Sequence, residues 1–180
     1  MTQQDDLIAL CRRGDPAAYT ALYSQHAVAV YNSILRLVDH TGEAEDILQE
    51  SFVAAFRGIE GFKNTGSFGG WVKRIAINKS VDCLRKRKIR FIEFGPGLIF
   101  EEDEITDESE FEYTMEAVHE AIEALPPGYR TVFNLYAVEG IPHAEIAQIL
   151  GLEHTTVRTQ YHRAKHKILN TLRVGGYHEK

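Results

Sequence analysis

At 180 residues, 44% of them hydrophobic and 26% charged, the chain has the composition of a globular protein of one or two domains. It has no apolar run of the roughly eighteen residues a bilayer span needs, its opening Met1-Thr2-Gln3-Gln4-Asp5-Asp6 lacks the basic start and apolar stretch of a signal peptide, and Cys11 and Cys83 make neither a disulfide framework nor a zinc knuckle. The net charge of −6 would repel nucleic acid if it were spread evenly, but it is not.

Residues 1–92 hold 13 Lys and Arg against 10 Asp and Glu, residues 93–124 hold none against 12, and residues 125–180 hold 7 against 4. Two mildly basic bodies therefore flank a strongly acidic segment, and local charge rather than the total governs nucleic-acid binding. A cytoplasmic protein with no membrane insertion is expected.

The first body, residues 1–92, reads as helix. Gly14-Asp15-Pro16 is a helix start, with Asp15 as cap and Pro16 in the first turn. Tyr19, Leu22, Tyr23, His26, Ala27, Val30, Tyr31 and Ile34 follow the spacing of one buried face. A second helix begins near Thr41 and Gly42. Its apolar face carries Ile47 or Leu48, Ser51, Phe52, Ala55 and Phe56, and its other face Glu43, Asp46, Gln49 and Glu50. Glycines with Asn64, Thr65 and Ser67 place a loop between residues 58 and 70. A long helix runs from about Phe68 to Arg87, burying Phe68, Trp71, Val72, Ile75 and Ala76, and ends in the basic run Arg85-Lys86-Arg87-Lys88-Ile89-Arg90.

Residues 93–112 read as a flexible acidic linker, broken by Gly95-Pro96-Gly97 and mostly acidic from Glu101 to Glu112. The second body, residues 113–180, restarts as helix near Tyr113 and stops before Pro126-Pro127. Another helix spans Gly128 to about Val138. Two more follow, about Pro142 to Leu150 and His154 to Leu172, joined at Gly151-Leu152; the last buries Val157, Tyr161, Ala164, Ile168 and Leu172. No strand alternation and no internal repeat appears. The fold class expected is all-α: two small helical bundles on a flexible tether.

Two constellations point to nucleic acid. A short helix, a Gly turn and a longer basic helix make a helix-turn-helix. The start of the second helix offers Thr155, Thr156, Arg158, Thr159, Gln160, His162 and Arg163, side chains that can reach base edges in a major groove. Lys165, His166 and Lys167 would then lie near phosphates. The stretch from Phe62 to Arg90 combines aromatics, amides and a basic track, the mixture that holds single strands. Solvated basic faces and core aromatics give the same pattern in a small all-α protein, so neither constellation stands alone. For catalysis the signals are poor. There is no P-loop, no Gly-x-Ser-x-Gly and no obvious nucleophile–base pair. His162 and His166 have metal-pair spacing without an acidic or sulfur ligand nearby. Neither an enzyme nor a cofactor, metal or small-molecule substrate is expected.

Taken in order, the residues resemble the extracytoplasmic-function (ECF) class of bacterial RNA polymerase sigma factors over nearly the whole chain. Arg13-Gly14-Asp15-Pro16-Ala17-Ala18-Tyr19 with Leu22-Tyr23 resembles the family's opening, and Ala44-Glu45-Asp46-Ile47-Leu48-Gln49-Glu50-Ser51-Phe52 its region 2.2. Phe68-Gly69-Gly70-Trp71-Val72-Lys73-Arg74-Ile75-Ala76-Ile77-Asn78, with Asp82, Leu84 and Arg85, resembles regions 2.3 and 2.4. Ala124-Leu125-Pro126-Pro127 with Tyr129-Arg130, and then Glu145-Ile146-Ala147, Leu150-Gly151, Thr156-Val157-Arg158 and His162-Arg163-Ala164-Lys165, resemble region 4.

The resemblance implies a dissociable specificity subunit. Asp46, Gln49, Glu50 and Phe52 would dock on the β′ clamp of core RNA polymerase, with the β flap as a second contact. Phe62, Lys63, Asn64 and Thr65 would take up a flipped base of the −10 element; Trp71, Lys73, Arg74, Asn78, Lys79 and Arg85 would hold the opened strand. Thr155, Thr156, Arg158, Thr159, Gln160, His162 and Arg163 would read the −35 element of promoter DNA. An anti-sigma factor is a further implied partner, and the acidic linker would lie along a nucleic-acid path. Strand opening costs about 1.4 kcal/mol per stacking step, against roughly 1–3 kcal/mol from one captured base, so the polymerase must hold register. Three departures stand out: Pro142 in place of a Ser or Thr cap, Gln160 where many members have Arg, and Gly69-Gly70 at the start of the melting helix. The alternative is a stand-alone helix-turn-helix regulator of duplex DNA.

Overall fold

A computed structural model describes residues 3–63, 66–87 and 113–174. The expected linker, Lys88-Ile89-Arg90 of the basic run, and Asn64 and Thr65 lie outside the described residues. The chain divides into two compact units, Met1–Lys88 and Ile89–Lys180. Among the described residues every regular element is helical, without a strand.

The first unit contains α1 (Gln3–Arg12), α2 (Pro16–Val38), α3 (Thr41–Arg57), a 3₁₀ turn at Ile59–Gly61 and α4 (Phe68–Lys86). Asp15 caps α2 as its sequence foretold: Oδ1 accepts from the amides of Ala17 at 2.8 Å and Ala18 at 3.3 Å. At the other end Asp39 takes the left-handed conformation, and its amide donates to the Leu35 carbonyl. The α3 cap is His40, whose Nδ1 accepts from the Glu43 amide at 3.2 Å. Ser67 caps α4, its Oγ accepting from the Gly70 amide at 3.0 Å.

The core of this unit is a seam of Leu22, Val30, Ile34, Phe52, Ala55, Phe68, Val72 and Ala76. Phe68 is fully buried. Its ring lies 6.0 Å from Phe56, 5.9 Å from Phe62 and 5.9 Å from Trp71. The basic run at the end of α4 is partly structural. Arg87 pairs with Glu43 and donates Nη1 to the Val38 carbonyl at 2.8 Å, so it ties α4 to the α2–α3 turn. Arg85 pairs with Asp82 at 3.2 Å.

Gly69 meets a packing demand. A Cβ there would lie 2.6 Å from Nδ1 of His26 on α2, so glycine is what lets the start of α4 approach α2. Gly69→Ala is therefore expected to destabilise the unit by about 1–3 kcal/mol. Chemical denaturation in a His26→Ala background should recover part of that loss; full additivity of the two changes would sink the assignment.

The second unit contains α5 (Met115–Glu123), α6 (Pro127–Phe133), a π turn at Asn134–Val138, α7 (His143–Leu150) and α8 (His154–Val174). α5 and α6 pack on α8 through Ala117, Ala121, Leu125, Tyr129, Ala164, Ile168 and Leu172. The helix expected to run on to Val138 widens after Phe133. There the Glu139 amide donates back five residues to the Asn134 carbonyl at 3.0 Å. Gly151, at φ 67° and ψ 38°, closes α7 in the left-handed conformation. The Leu152 amide donates to the Ala147 carbonyl at 2.9 Å, which completes the sharp turn into α8. Pro142 caps α7 without a side-chain hydrogen bond, as its missing hydroxyl dictates.

Candidate nucleic-acid interface

On α3 the buried flank holds Ala44, Ile47, Leu48, Ser51, Phe52 and Ala55. Asp46, Gln49 and Glu50 are exposed on the opposite flank. Phe52 is only 2% exposed and packs 4.7 Å from Tyr23; it supports this surface from beneath and cannot present its ring to a partner. Val53, 47% exposed, stands seven residues after Asp46 and extends the same stripe with an apolar tip. Its spacing is visible in the sequence, but sequence reasoning passed over it.

On α4, helical spacing aligns Trp71, Arg74, Asn78, Asp82 and Arg85. Arg74, Asn78 and Arg85 are exposed and Trp71 half-buried. Asn78 donates Nδ2 to the Arg74 carbonyl at 3.0 Å, and Asp82 puts one negative charge in the middle of the stripe. Lys73 stands apart: half-buried, it shares its flank with buried Ala76, Ile77 and Ser80. Lys79 reaches across to α3 and pairs with Glu50 at 2.9 Å. That hydrogen bond, and the charge behind it, hold the Glu50 carboxyl below its ordinary pKa. A residue expected to face polymerase and one expected to face DNA are thus direct neighbours.

Before α4, Phe62 is 6% exposed, its ring 5.1 Å from Trp71. It belongs to the core, because a large ring beside Phe68 gains more from burial than from water. Lys63 is exposed.

In the second unit, Thr155, Arg158, Thr159 and His162 share one stripe of α8 by their three-four spacing. Thr155, Arg158 and His162 are exposed and Thr159 half-buried. Thr159 donates its hydroxyl to the Thr155 carbonyl at 2.9 Å. Gln160 is fully buried and Thr156 nearly so, which corrects their expected place as groove readers. They lie on the flank that carries Val157 and Ala164, and the helix turns them inward. Arg163 is half-buried at the border of the stripe.

Behind the stripe stands an aromatic cluster absent from the sequence reading. His143 stacks on Tyr136 at 4.0 Å and lies 5.4 Å from Tyr161 and 6.2 Å from His154. Burial depresses the His143 pKa first, and His154, Arg158 and His162 add repulsion. Burial also lowers that of His26 in the first unit. Both histidines charge more readily when unfolded, so each unit keeps its stability above histidine's ordinary value of about 6.5 and loses it as the pH falls below. Thermal midpoints should drop over that interval, and His143→Phe should flatten the drop in the second unit. A midpoint independent of pH there would contradict this account.

Among the described residues no set of His, Cys, Asp and Glu side chains is arranged to hold a metal ion, and no described helix is long and apolar enough to cross a membrane. What the geometry defines is an all-helical protein whose first unit sets an acidic face beside a basic one and whose second is a helix-turn-helix. The model of sigma-70 region 2 matches residues 22–89, and that of sigma-70 region 4 matches residues 115–168.

The chain is 32% identical to the ECF RNA polymerase sigma factor SigE of Mycolicibacterium smegmatis over 88% of its own length, and spans 64% of that relative. It is 30% identical to the RNA polymerase sigma-H factor of Pseudomonas aeruginosa, over 93% of this chain and 94% of that one. It is 28% identical to the ECF RNA polymerase sigma factor SigW of Bacillus subtilis, over 90% of this chain and 92% of that one. A solved structure of CnrH, in complex with the cytosolic domain of CnrY, shares the fold at a TM-score of 0.55 and 23% identity, covering 95% of this chain and 97% of that one. The sigma factor RpoE of Bartonella quintana, in complex with the anti-sigma factor NepR, shares it at a TM-score of 0.55 and 17% identity, covering 87% of this chain and 97% of that one. The chain belongs to the ECF class of RNA polymerase sigma factors, the non-enzymatic initiation factors that direct polymerase to promoters. A stand-alone regulator is not favoured, because the first unit matches sigma region 2.

Proposed function

We propose that this chain, in the cytoplasm, binds core RNA polymerase through the exposed Asp46–Gln49–Glu50–Val53 stripe of α3 and positions it on promoters through two DNA contacts. In this reading the stripe meets the β′ clamp and the second unit meets the β flap. The loop from Phe62 and the outer stripe of α4, with Lys79 beside it, hold the −10 strand; Thr155, Arg158, Thr159 and His162, with Arg163 at the edge, read the −35 element. An anti-sigma protein is a further partner in this reading, as the anti-sigma factor NepR is for RpoE of Bartonella quintana. Residues 1–92 and 113–180 act as the two DNA-binding bodies and residues 93–112 as their tether, which raises the effective concentration of each body for its own element.

The observation that carries the reading is that a helix-turn-helix with a basic recognition stripe shares one chain with a body bearing adjacent acidic and basic faces. Run-off transcription with purified core enzyme tests it. Transcripts starting at a fixed distance from paired −35 and −10 elements are expected; their absence, with duplex binding by the isolated protein, would point to a regulator instead. Arg158→Ala with Arg163→Ala should weaken −35-dependent initiation and make the log–log salt dependence shallower by roughly 1–2. An unaltered slope would reject the α8 assignment.

A further inference from the structure

Tyr19 and Tyr23 stand one turn apart on α2 and differ in what holds them. Tyr19 is half-buried. Its ring packs edge-on to Phe56 of α3 at 4.9 Å, and its hydroxyl donates to the Cys11 carbonyl of α1 at 2.7 Å. Both ends of that side chain serve the fold. Tyr23 follows the same helical spacing in the sequence, yet it is 38% exposed. Its ring packs on Phe52 at 4.7 Å, and among the described residues its hydroxyl meets no partner. A half-open aromatic with an open polar tip has apolar area and a hydrogen bond left to give. Its position decides to whom. Gln49 precedes Phe52 by three residues, shares its flank of α3 and is exposed. The ring resting on Phe52 therefore borders the Asp46–Gln49–Glu50–Val53 stripe on its α2 side, while the Glu50–Lys79 pair marks the α4 side.

We infer that Tyr23 is a core-polymerase contact: with exposed Val53 it forms an apolar border to the acidic stripe, and the two fit a surface that sets aliphatic side chains beside cationic ones. The inference rests on the docking face given under the proposed function, and adds to it a residue of α2. The cations follow from charge complementarity, since Asp46 and Glu50 are acidic and exposed. Exposed charges alone hold weakly and are screened by salt, whereas a partly open Tyr is a side chain that carries affinity at interfaces. Arginine on the partner answers both demands. Its guanidinium pairs with a carboxylate, and its flat face and stem lie over an aromatic ring. A second copy of this chain fits poorly, because a two-fold contact would set the acidic stripe against itself. A phosphate backbone is repelled for the same reason.

The test titrates the full chain onto purified core enzyme, in competition with labelled wild-type chain, over a range of salt concentrations. Tyr23→Ala is expected to bind about tenfold more weakly. The factor should be the same at every salt concentration, because an apolar contact is not screened. Tyr23→Phe keeps the ring and should bind within about twofold of the wild type. Tyr23→Lys keeps an aliphatic stem over Phe52 but turns a cation toward cations, so its loss should exceed tenfold at low salt and shrink at high salt. It also serves where Tyr23→Ala is not folded. Tyr19→Phe loses the tie to Cys11, leaves the surface unaltered and should keep wild-type affinity. Circular dichroism at the assay temperature confirms that each variant is folded. Wild-type affinity in folded Tyr23→Ala or Tyr23→Lys would overturn the inference. So would an equal loss in Tyr19→Phe, since the packing of α2 rather than its exposed ring would then set binding. Dimerisation of the free chain that Tyr23→Ala abolishes would assign the ring to a second copy and overturn it too. If the wild type does not bind core enzyme, the docking reading fails first, and the inference falls with it. If Asp46→Lys with Glu50→Lys loses the enzyme while the Tyr23 variants keep it, the reading stands and the inference alone falls.

Discussion

Replacing both Asp46 and Glu50 with Lys is expected to abolish co-purification with core RNA polymerase while helical content stays at the wild-type level. Both residues are exposed on α3, so neither exchange opens a cavity or strands a buried group. Within the fold the cost falls chiefly on the Glu50–Lys79 pair, whose side chains are 66% and 33% exposed, with a weaker attraction to Lys86 also lost. An ion pair at that exposure contributes about 0–1 kcal/mol. At a docking surface the same exchange is severe. Two negative charges become two positive ones on a single helical turn, and in the proposed complex they would meet a surface that pairs with acid. Like-charge juxtaposition across an interface costs several kcal/mol, and each 1.4 kcal/mol is tenfold in affinity, so a loss of over about 100-fold is expected.

Lys79→Gln separates the two effects of the exchange. It breaks the same ion pair but leaves Asp46, Gln49 and Glu50 unaltered, so polymerase should still co-purify with it. If the double Lys variant is folded by circular dichroism and still retains polymerase at the wild-type level, α3 is not the docking face. If Lys79→Gln loses polymerase to the same degree, the ion pair rather than the stripe holds the interface.

The residues whose structural role could be read in advance are those whose cause is local. Asp15-Pro16 starts α2 because a carboxylate beside free amides needs no distant partner, and Gly151 ends α7 because the left-handed turn is glycine's own. The stripes of α3 and α8 are visible because burial repeats with the helix period; that of α2 is legible through Leu22, Val30 and Ile34, while Tyr23, expected on the same buried face, is 38% exposed. Other features depend on partners far off in sequence. Arg12 meets Phe62 across fifty residues and Arg87 meets Glu43 across forty-four; before folding, both look like ordinary surface cations. The place of Arg87 in the basic run is explained by that pair and by the Val38 carbonyl, not by DNA. His40 was hidden as a cap because the role is usually given to Ser, Thr, Asp or Asn. Residue type makes Gln160 look like a groove reader, but its position on the helix does not. Three residues after Val157 and four before Ala164, it falls on the buried stripe, and that spacing was the available signal.

The second large effect expected is on stability. Phe68→Ala should lower the thermal midpoint of the first unit by at least ~12 °C, because removing a buried Phe costs about 3–5 kcal/mol and each kcal/mol moves a domain of this size by some 4–8 °C. Phe68 is fully enclosed by rings from three directions, with Phe56 on α3, Phe62 before α4 and Trp71 one turn on. None of these can follow the lost ring inward without leaving its own contacts, so the cavity stays largely open. The chain's single tryptophan is Trp71, which makes its emission a direct report on this cluster. Its spectrum should shift to the red in the variant as water reaches the indole. The functional consequence follows from the same contacts: Phe62 loses the ring of Phe68 beside it, so −10 capture should fail at temperatures where the wild type still opens promoters. A midpoint within a few degrees of wild type would show that the cluster has room to repack, and that the loop leaving Phe62 is not anchored by the aromatic core.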